Sequence, residues 1–349
     1  MLKTAKRWAL FTLIVCALAL SACMLTVYLV DPFEHYRESS VLPLYDQESY
    51  NNPGIARNYD YDAVILGTSM VEMSNPSVID ECFGVTSVKL PMRGSYTSHM
   101  GYQLSHIFGF KPDLKLAILA VDAYSLLGLP DDQTELIDYL WNDSVFDDVK
   151  YLLNRDVLLV RVPRLLKNAG KSLESKRDAM YKWTDVEFTR QKVFDTVAWG
   201  ANAAMNPPDY RAERVEENIA RHLIPLIEDH PDTTFKIYMP PYSAGYWYHV
   251  REVGISETQF NARAMLCDML LGYDNVEIYD YSSRIEWITQ LDEYFDYSHH
   301  SETFSDMVMR AMAAGENRIL STQEMNEGSE RLRAATQAFA AEYEPMFLR

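Results

Sequence analysis

The sequence predicts an α/β protein: a parallel sheet covered by helices on both faces, with an N-terminal transmembrane helix. Three observations predict it. Short apolar runs of strand length alternate with stretches of helical spacing along most of the chain. The segments richest in reactive side chains follow directly after the apolar runs, where a parallel sheet gathers its loops on one rim. The first 30 residues hold a long apolar run behind a basic flank.

Lys3, Lys6 and Arg7 precede the apolar run 8–30. As a helix this run is roughly 35 Å long, enough to cross the hydrocarbon core of a bilayer. The basic flank predicts a cytoplasmic N-terminus and an extracytoplasmic remainder, a single-pass protein of a bacterial cell membrane. Leu20-Ser21-Ala22-Cys23 also fits lipoprotein processing, with Cys23 acylated after cleavage. The apolar run continues to Val30, which favours an uncleaved anchor. Residues 31–60 read as an irregular lead-in, with Pro32, Pro43 and Asn51-Asn52-Pro53-Gly54 as breakers.

Strands are expected at 63–66, 87–90, 116–121, 234–239 and 276–279, and helices at 70–82, 96–108, 211–229 and 256–271. Ser256-x-x-Gln259 has the form of a capping box for the last of these. Helical patterns at 131–153, 157–167 and 185–201 interrupt the rhythm, so about 126–214 reads as a helical insertion. Ser321-x-x-Glu324 opens a final helix ending near Glu344. The expected organisation is an anchor (1–30), a lead-in (31–60), an α/β domain (61–320) carrying the insertion, and a C-terminal helix (321–349).

The chain has 349 residues, a net charge of −18 and a hydrophobic content of 48%. A core of substantial size is possible. The charge leaves no electrostatic footprint for nucleic acid and disfavours polyanionic partners. Cys16 and Cys23 lie in the anchor. Cys82 and Cys267 form either a disulfide, which an extracytoplasmic site permits, or two buried thiols. No cysteine or histidine spacing suggests a zinc site, and no metal or cofactor is expected.

Ser69 ends the segment Asp62-Ala-Val-Ile-Leu-Gly-Thr-Ser69. A serine on a tight strand-to-helix turn exposes its hydroxyl at the strand end, beside helix N–H groups that favour developing negative charge. Far downstream, Phe295-Asp-Tyr-Ser-His-His300 holds an acid three residues before a base. A serine hydroxyl needs a base, and a base needs an orienting acid. His299 and Asp296 fit those roles, and the adjacent His300 is the alternative base. Ser69 as a simple helix cap is the plainer reading of the tripeptide alone. His99 reads as an ordinary helix residue.

At Gly67-Thr68-Ser69 and Asp296-x-x-His299 the chain resembles the SGNH (GDSL-like) hydrolase superfamily, with Thr68 where Asp is usual. It is most similar to a membrane-anchored branch that includes teichoic-acid D-alanylation and alginate O-acetylation proteins. Asp31-Pro-Phe-Glu-His-Tyr36, Gly54-Ile-Ala-Arg-Asn58 and Met239-Pro-Pro-Tyr-Ser243 share in this resemblance, which covers 1–125 and 215–305. The middle of the chain matches no motif.

The resemblance implies a flavodoxin-like three-layer α/β/α fold. It implies a serine acyl-ester hydrolase or O-acyltransferase acting on an acylated envelope glycan, with a membrane-bound acyltransferase as a partner that supplies acyl groups. Ser69 and Gly94 would donate backbone N–H groups to the oxyanion, although Gly94 can equally serve only the turn. Asp122 stands where many members place an Asn donor. An ionised carboxylate cannot donate, so Asp122 would replace that donor only if an apolar site kept it protonated, and would otherwise orient loops or bind a substrate hydroxyl. Relatives carry an aromatic residue at the place of His300, which favours His299 as base and leaves His300 to pack or hydrogen-bond at the rim. Tyr242, Tyr246, Trp247 and Tyr248 offer rings to a sugar or pack the sheet edge. A non-catalytic SGNH-like glycan-binding or assembly protein of the envelope is the competing expectation.

Overall fold

The structure, a computed structural model, describes residues 2–39, 43–168, 171, 176–200 and 211–348. One sheet contains β1 (Ala63–Gly67), β2 (Ser87–Pro91), β3 (Leu116–Ala120), β4 (Thr234–Met239), β5 (Val276–Asp280) and β6 (Arg318–Ile319). Helices of eight residues or more are α1 (Leu2–Val30), α2 (Glu48–Asn58), α3 (Pro76–Phe83), α4 (Thr97–Phe110), α5 (Ala212–His222), α6 (Ala244–Glu252), α7 (Ser256–Leu270), α8 (Glu302–Ala313) and α9 (Thr322–Phe347).

The strand order is β2-β1-β3-β4-β5-β6. The first five strands are parallel and β6 is antiparallel to β5. All five parallel strands lie where the apolar runs predict them. The two-residue β6 is too short to carry a pattern. Strand order reverses between β1 and β3, so the loops leaving their ends part and open a crevice on that rim.

Alternation along the strands supplies two cores. Ala63, Ile65, Ile118, Ala120, Tyr238 and Tyr279 share one cluster with side chains of α3, α6, α8 and α9. The intervening residues face the other layer, where Phe108 of α4 meets Phe235 of β4. There α5 packs on both α4 and α7. A fully buried Ile or Leu contributes about 1.5–3 kcal/mol, so the sheet is fixed by strands apolar on both faces.

Local chemistry explains where the helices depart from expectation. The segment after Ser69 is a short 3₁₀ turn, Ser69–Val71, and α3 begins only at Pro76. Proline disfavours helical backbone at the residue before it, yet suits a first helical turn. Ser256-x-x-Gln259 is not a capping box: α7 has no side-chain cap, and the Gln259 amide donates instead to the Tyr246 hydroxyl. α9 opens where its sequence expects, with Ser321 as the N-cap. Ser321 accepts from the Glu324 N–H, and the Glu324 carboxylate accepts from the Leu320 N–H.

The lead-in is not irregular throughout. Asn51-Asn52-Pro53-Gly54 lies inside α2. Gly54 is needed there because a Cβ would come within 2.4 Å of the Phe33 carbonyl oxygen. Close approach, rather than a turn, is its role. Asn58 donates to the Glu34 carbonyl, and the Asp31 carboxylate accepts from the N–H groups of His35, Tyr36 and Arg37 and from the Tyr151 hydroxyl. The two N-terminal motifs therefore build one structural knot.

The chain divides into two compact units, 1–59 with 135–176, and 60–134 with 177–349. This differs from the expected division. The first half of the insertion belongs with the anchor and lead-in, because Tyr151, Val157 and Val162 pack on Val27. The C-terminal helix is not separate, because Leu332 and Phe339 of α9 are buried in the α/β unit. Within α1, 4–30 is long and apolar enough to cross a membrane. Cys82 and Cys267 are free thiols, not a disulfide. Their helices pack on different neighbours, α3 on α8 and β2, α7 on α5 and α9.

Candidate active site

The end of β1 sets the position of Ser69. A Cβ on Gly67 would lie 2.7 Å from the Ala120 Cβ and 2.8 Å from Val71 Cγ1, so only glycine lets the turn fold back against β3. Thr68 is extended, and Ser69 starts the 3₁₀ turn with its side chain half-buried. Two links join this turn to the loop after β2. The Met92 N–H donates to the Gly67 carbonyl at 2.9 Å, and Arg93 pairs with the buried Glu72 at 2.6 Å. Gly94 follows on that loop in left-handed backbone, φ 62°.

The Ser69 hydroxyl oxygen is 2.7 Å from His299 Nε2, and His299 Nδ1 is 2.7 Å from an Asp296 carboxylate oxygen. The other oxygen of Asp296 accepts the backbone N–H groups of Ser298 and His299 at 2.7 Å each. An acceptor-only carboxylate assigns the proton to Nδ1 and leaves Nε2 free to accept from Ser69. Burial pushes the Asp296 carboxyl up. The His299 hydrogen bond and charge and the two backbone N–H groups outweigh it, so the pKa lies below its ordinary value.

A tight loop presents His299. An antiparallel bridge joins Tyr294 to His300, and the Phe295 N–H donates to the His299 carbonyl. Phe295 stacks on the imidazole at 5.1 Å, and Trp183 meets it edge-on at 5.0 Å. The loop is tied to the end of β4: the Tyr294 hydroxyl donates to the Pro241 carbonyl and the Ser243 hydroxyl to the Tyr297 carbonyl. The loops after β1, β4 and β5 thus fix the three groups.

Asp122, after β3, is buried, and its carboxylate accepts from the Ser125 N–H, the Tyr242 hydroxyl and the Thr68 hydroxyl. Burial raises its pKa against these bonds. It acts as an acceptor that ties Thr68, the neighbour of Ser69, to the β3 and β4 loops. The Thr68 hydroxyl does two jobs, since it also accepts from the Met70 N–H.

Three expected substrate contacts are placed elsewhere. Trp247 is buried and stacks on Phe260, because α6 turns its Trp247, Tyr248 and Val250 inward. Tyr242 is buried with its hydroxyl committed to Asp122. The recess that these two line with Asp122 and Arg263 has a volume of about 10 Å³, room for one water and not a sugar. His300 is buried against Ser301 and Ser305, and the ring facing Ser69 is that of His299. His99 caps its own helix and reaches the Thr134 carbonyl.

Sequence reasoning missed Trp183, Thr68 and Glu72 as parts of the site. Thr68 and Glu72 flank Ser69 and carry a local signal. Trp183 lies in the insertion, more than a hundred residues from His299, and only the fold brings them together.

Among the described residues, no group of three or more His, Cys, Asp or Glu is placed to hold a metal ion. Comparison with protein-family models, curated proteins and solved structures finds no match to this chain.

Proposed function

We propose that the protein is an envelope-facing serine acyl-ester enzyme of SGNH type, anchored by α1. The observation that carries the reading is the continuous hydrogen-bond line from Ser69 through His299 to Asp296, 2.7 Å at each step. An acid three residues before the base, a serine after β1 and the strand order 2-1-3-4-5 support the superfamily assignment.

His299 takes the Ser69 proton as the hydroxyl oxygen attacks an acyl carbonyl, and Asp296 stabilises the resulting imidazolium. The backbone N–H groups of Ser69 and Gly94 stabilise the tetrahedral oxyanion. His299 then returns the proton to the departing alcohol, leaving an acyl-Ser69. Water or a sugar hydroxyl, deprotonated by His299, takes the acyl group in the second half. The proposed substrate class is an O-acylated, in the first instance O-acetylated, envelope polysaccharide, and the domain lies on the extracytoplasmic side.

The test compares wild type with Ser69→Ala on a chromogenic acetyl ester and on an acetylated glycan. Loss on the order of a millionfold in Ser69→Ala is expected, as for other catalytic nucleophiles. Equal rates in both proteins would remove Ser69 from the mechanism. A wild type inert on both substrates would favour the non-catalytic, glycan-binding reading.

A further inference from the structure

Exposed apolar side chains are concentrated next to the end of α1. Leu153, Leu159, Val160 and Leu166 are exposed by 37%, 63%, 42% and 57%. They lie on or directly after three short helical pieces, Val149–Leu152, Val157–Arg161 and Val162–Leu166, each of which packs on α1. The inner side chains of the same pieces, Tyr151, Val157 and Val162, are buried against Val27. These pieces therefore have two apolar sides, and only one is used within the protein.

The position of this collar along α1 is set by length. From Arg7 to Val27 is 20 residues, about 30 Å of helix, which equals the hydrocarbon thickness of a bilayer. From Thr4 to Thr26 the side chains of α1 are exposed or partly so, and burial by the collar begins at Val27. The collar thus packs on one side of the span where it leaves the hydrocarbon, and Tyr28 and Leu29 stay exposed beside it. Leu166 lines the same recess as Leu29 and Val30.

Composition agrees. Between 149 and 171 the chain carries Lys150, Arg155, Arg161, Arg164, Lys167 and Lys171 against the single acid Asp156, in a protein of net charge −18. Arg161 and Arg164 pair with Asp46, while Arg155 and Lys167 are exposed beside the apolar set. Tyr28 of α1, with Arg37 over its ring at 4.6 Å, has the character of an interfacial aromatic. Apolar side chains next to exposed cations on short helices are the signature of a segment lying in the headgroup layer.

We infer that residues 149–167 form an interfacial collar: Leu159, Val160 and Leu166 insert at the headgroup–acyl boundary around the exit of α1, and Arg155 and Lys167 contact anionic headgroups. The inference rests on α1 spanning the bilayer. Its occupant is the lipid surface, because the apolar face is continuous with a lipid-facing helix.

The experiment uses the full chain in vesicles of phosphatidylcholine and phosphatidylglycerol. A fluorescent amino acid replaces Leu159, Leu166 or, as a control, Leu18 in the span. Lipids brominated near the headgroup or at mid-chain act as quenchers. Expected is quenching at Leu159 and Leu166 by the shallow bromines at least twice that by the deep ones, and the reverse ratio at Leu18. Arg155→Glu combined with Lys167→Glu should halve the shallow quenching at Leu159. Quenching at Leu18 with none at Leu159 or Leu166 would overturn the collar and leave the span standing. Absence of quenching at Leu18 would overturn the span itself.

Discussion

A serine hydroxyl near neutral pH attacks an ester only when a neighbouring base removes its proton, and that base must hold the correct tautomer. Asp296 enforces the tautomer here, with both oxygens committed. Asp296→Asn should therefore lower turnover about ten-thousandfold, and Ser69→Ala and His299→Ala should do at least as much, in the chromogenic ester assay. His300 makes a separate prediction. Burial lowers its pKa to about 4, from 6.5. Between these values the unfolded chain binds a proton that the folded chain does not, so stability is complete above 6.5 and declines as pH falls toward 4. The loss at pH 5 is about 2 kcal/mol from this group. Thermal unfolding in detergent at pH 7.5 and pH 5 should show a smaller difference in His300→Phe than in wild type, and an equal difference would refute the assignment. The catalytic candidates were legible because their spacing is local. The aromatic walls were not: Phe295 is adjacent to Asp296, but Trp183 reaches His299 only through folding.

At the scale of elements, apolar runs located all five parallel strands, because a strand buried on both faces has a dense apolar signal. Buried Lys89 inside β2 did not disturb this, since its ammonium donates to the carbonyls of Glu72, Ser74 and Asp178. Helix ends were less legible. Gly54 and Pro53 read as breakers, and the close approach to Phe33 that makes glycine necessary is a tertiary fact. Gly67 is the element-scale test. Gly67→Ala should push the Ser69 turn away from Ala120 and Val71, costing about 1–3 kcal/mol in stability. Activity should drop further than stability alone explains, because a misplacement of 1 Å can cost about a hundredfold in rate. Unchanged activity and melting temperature would show that the turn tolerates a side chain.

For the whole molecule, the division into two units assigns each half of the insertion a different task. Three short helical pieces between 149 and 166 pack on α1 in the first unit, while described residues from 177 onward, Trp183 among them, belong to the α/β unit. No sequence motif marks that division, since both halves read simply as helical. The basic first turns of α1 give the topology prediction: protease added to intact spheroplasts should remove everything beyond Asp31, and protection of the domain would reverse the proposed orientation.

The most direct measurement of the central claim is the intact mass of the protein after treatment with a serine-directed fluorophosphonate. Wild type is expected to carry one adduct, mapped by peptide mass to Ser69. Ser69→Ala should carry none, and labelling of His299→Ala should slow by about a hundredfold or more. A wild type left unlabelled, or labelled equally well in Ser69→Ala, would contradict it.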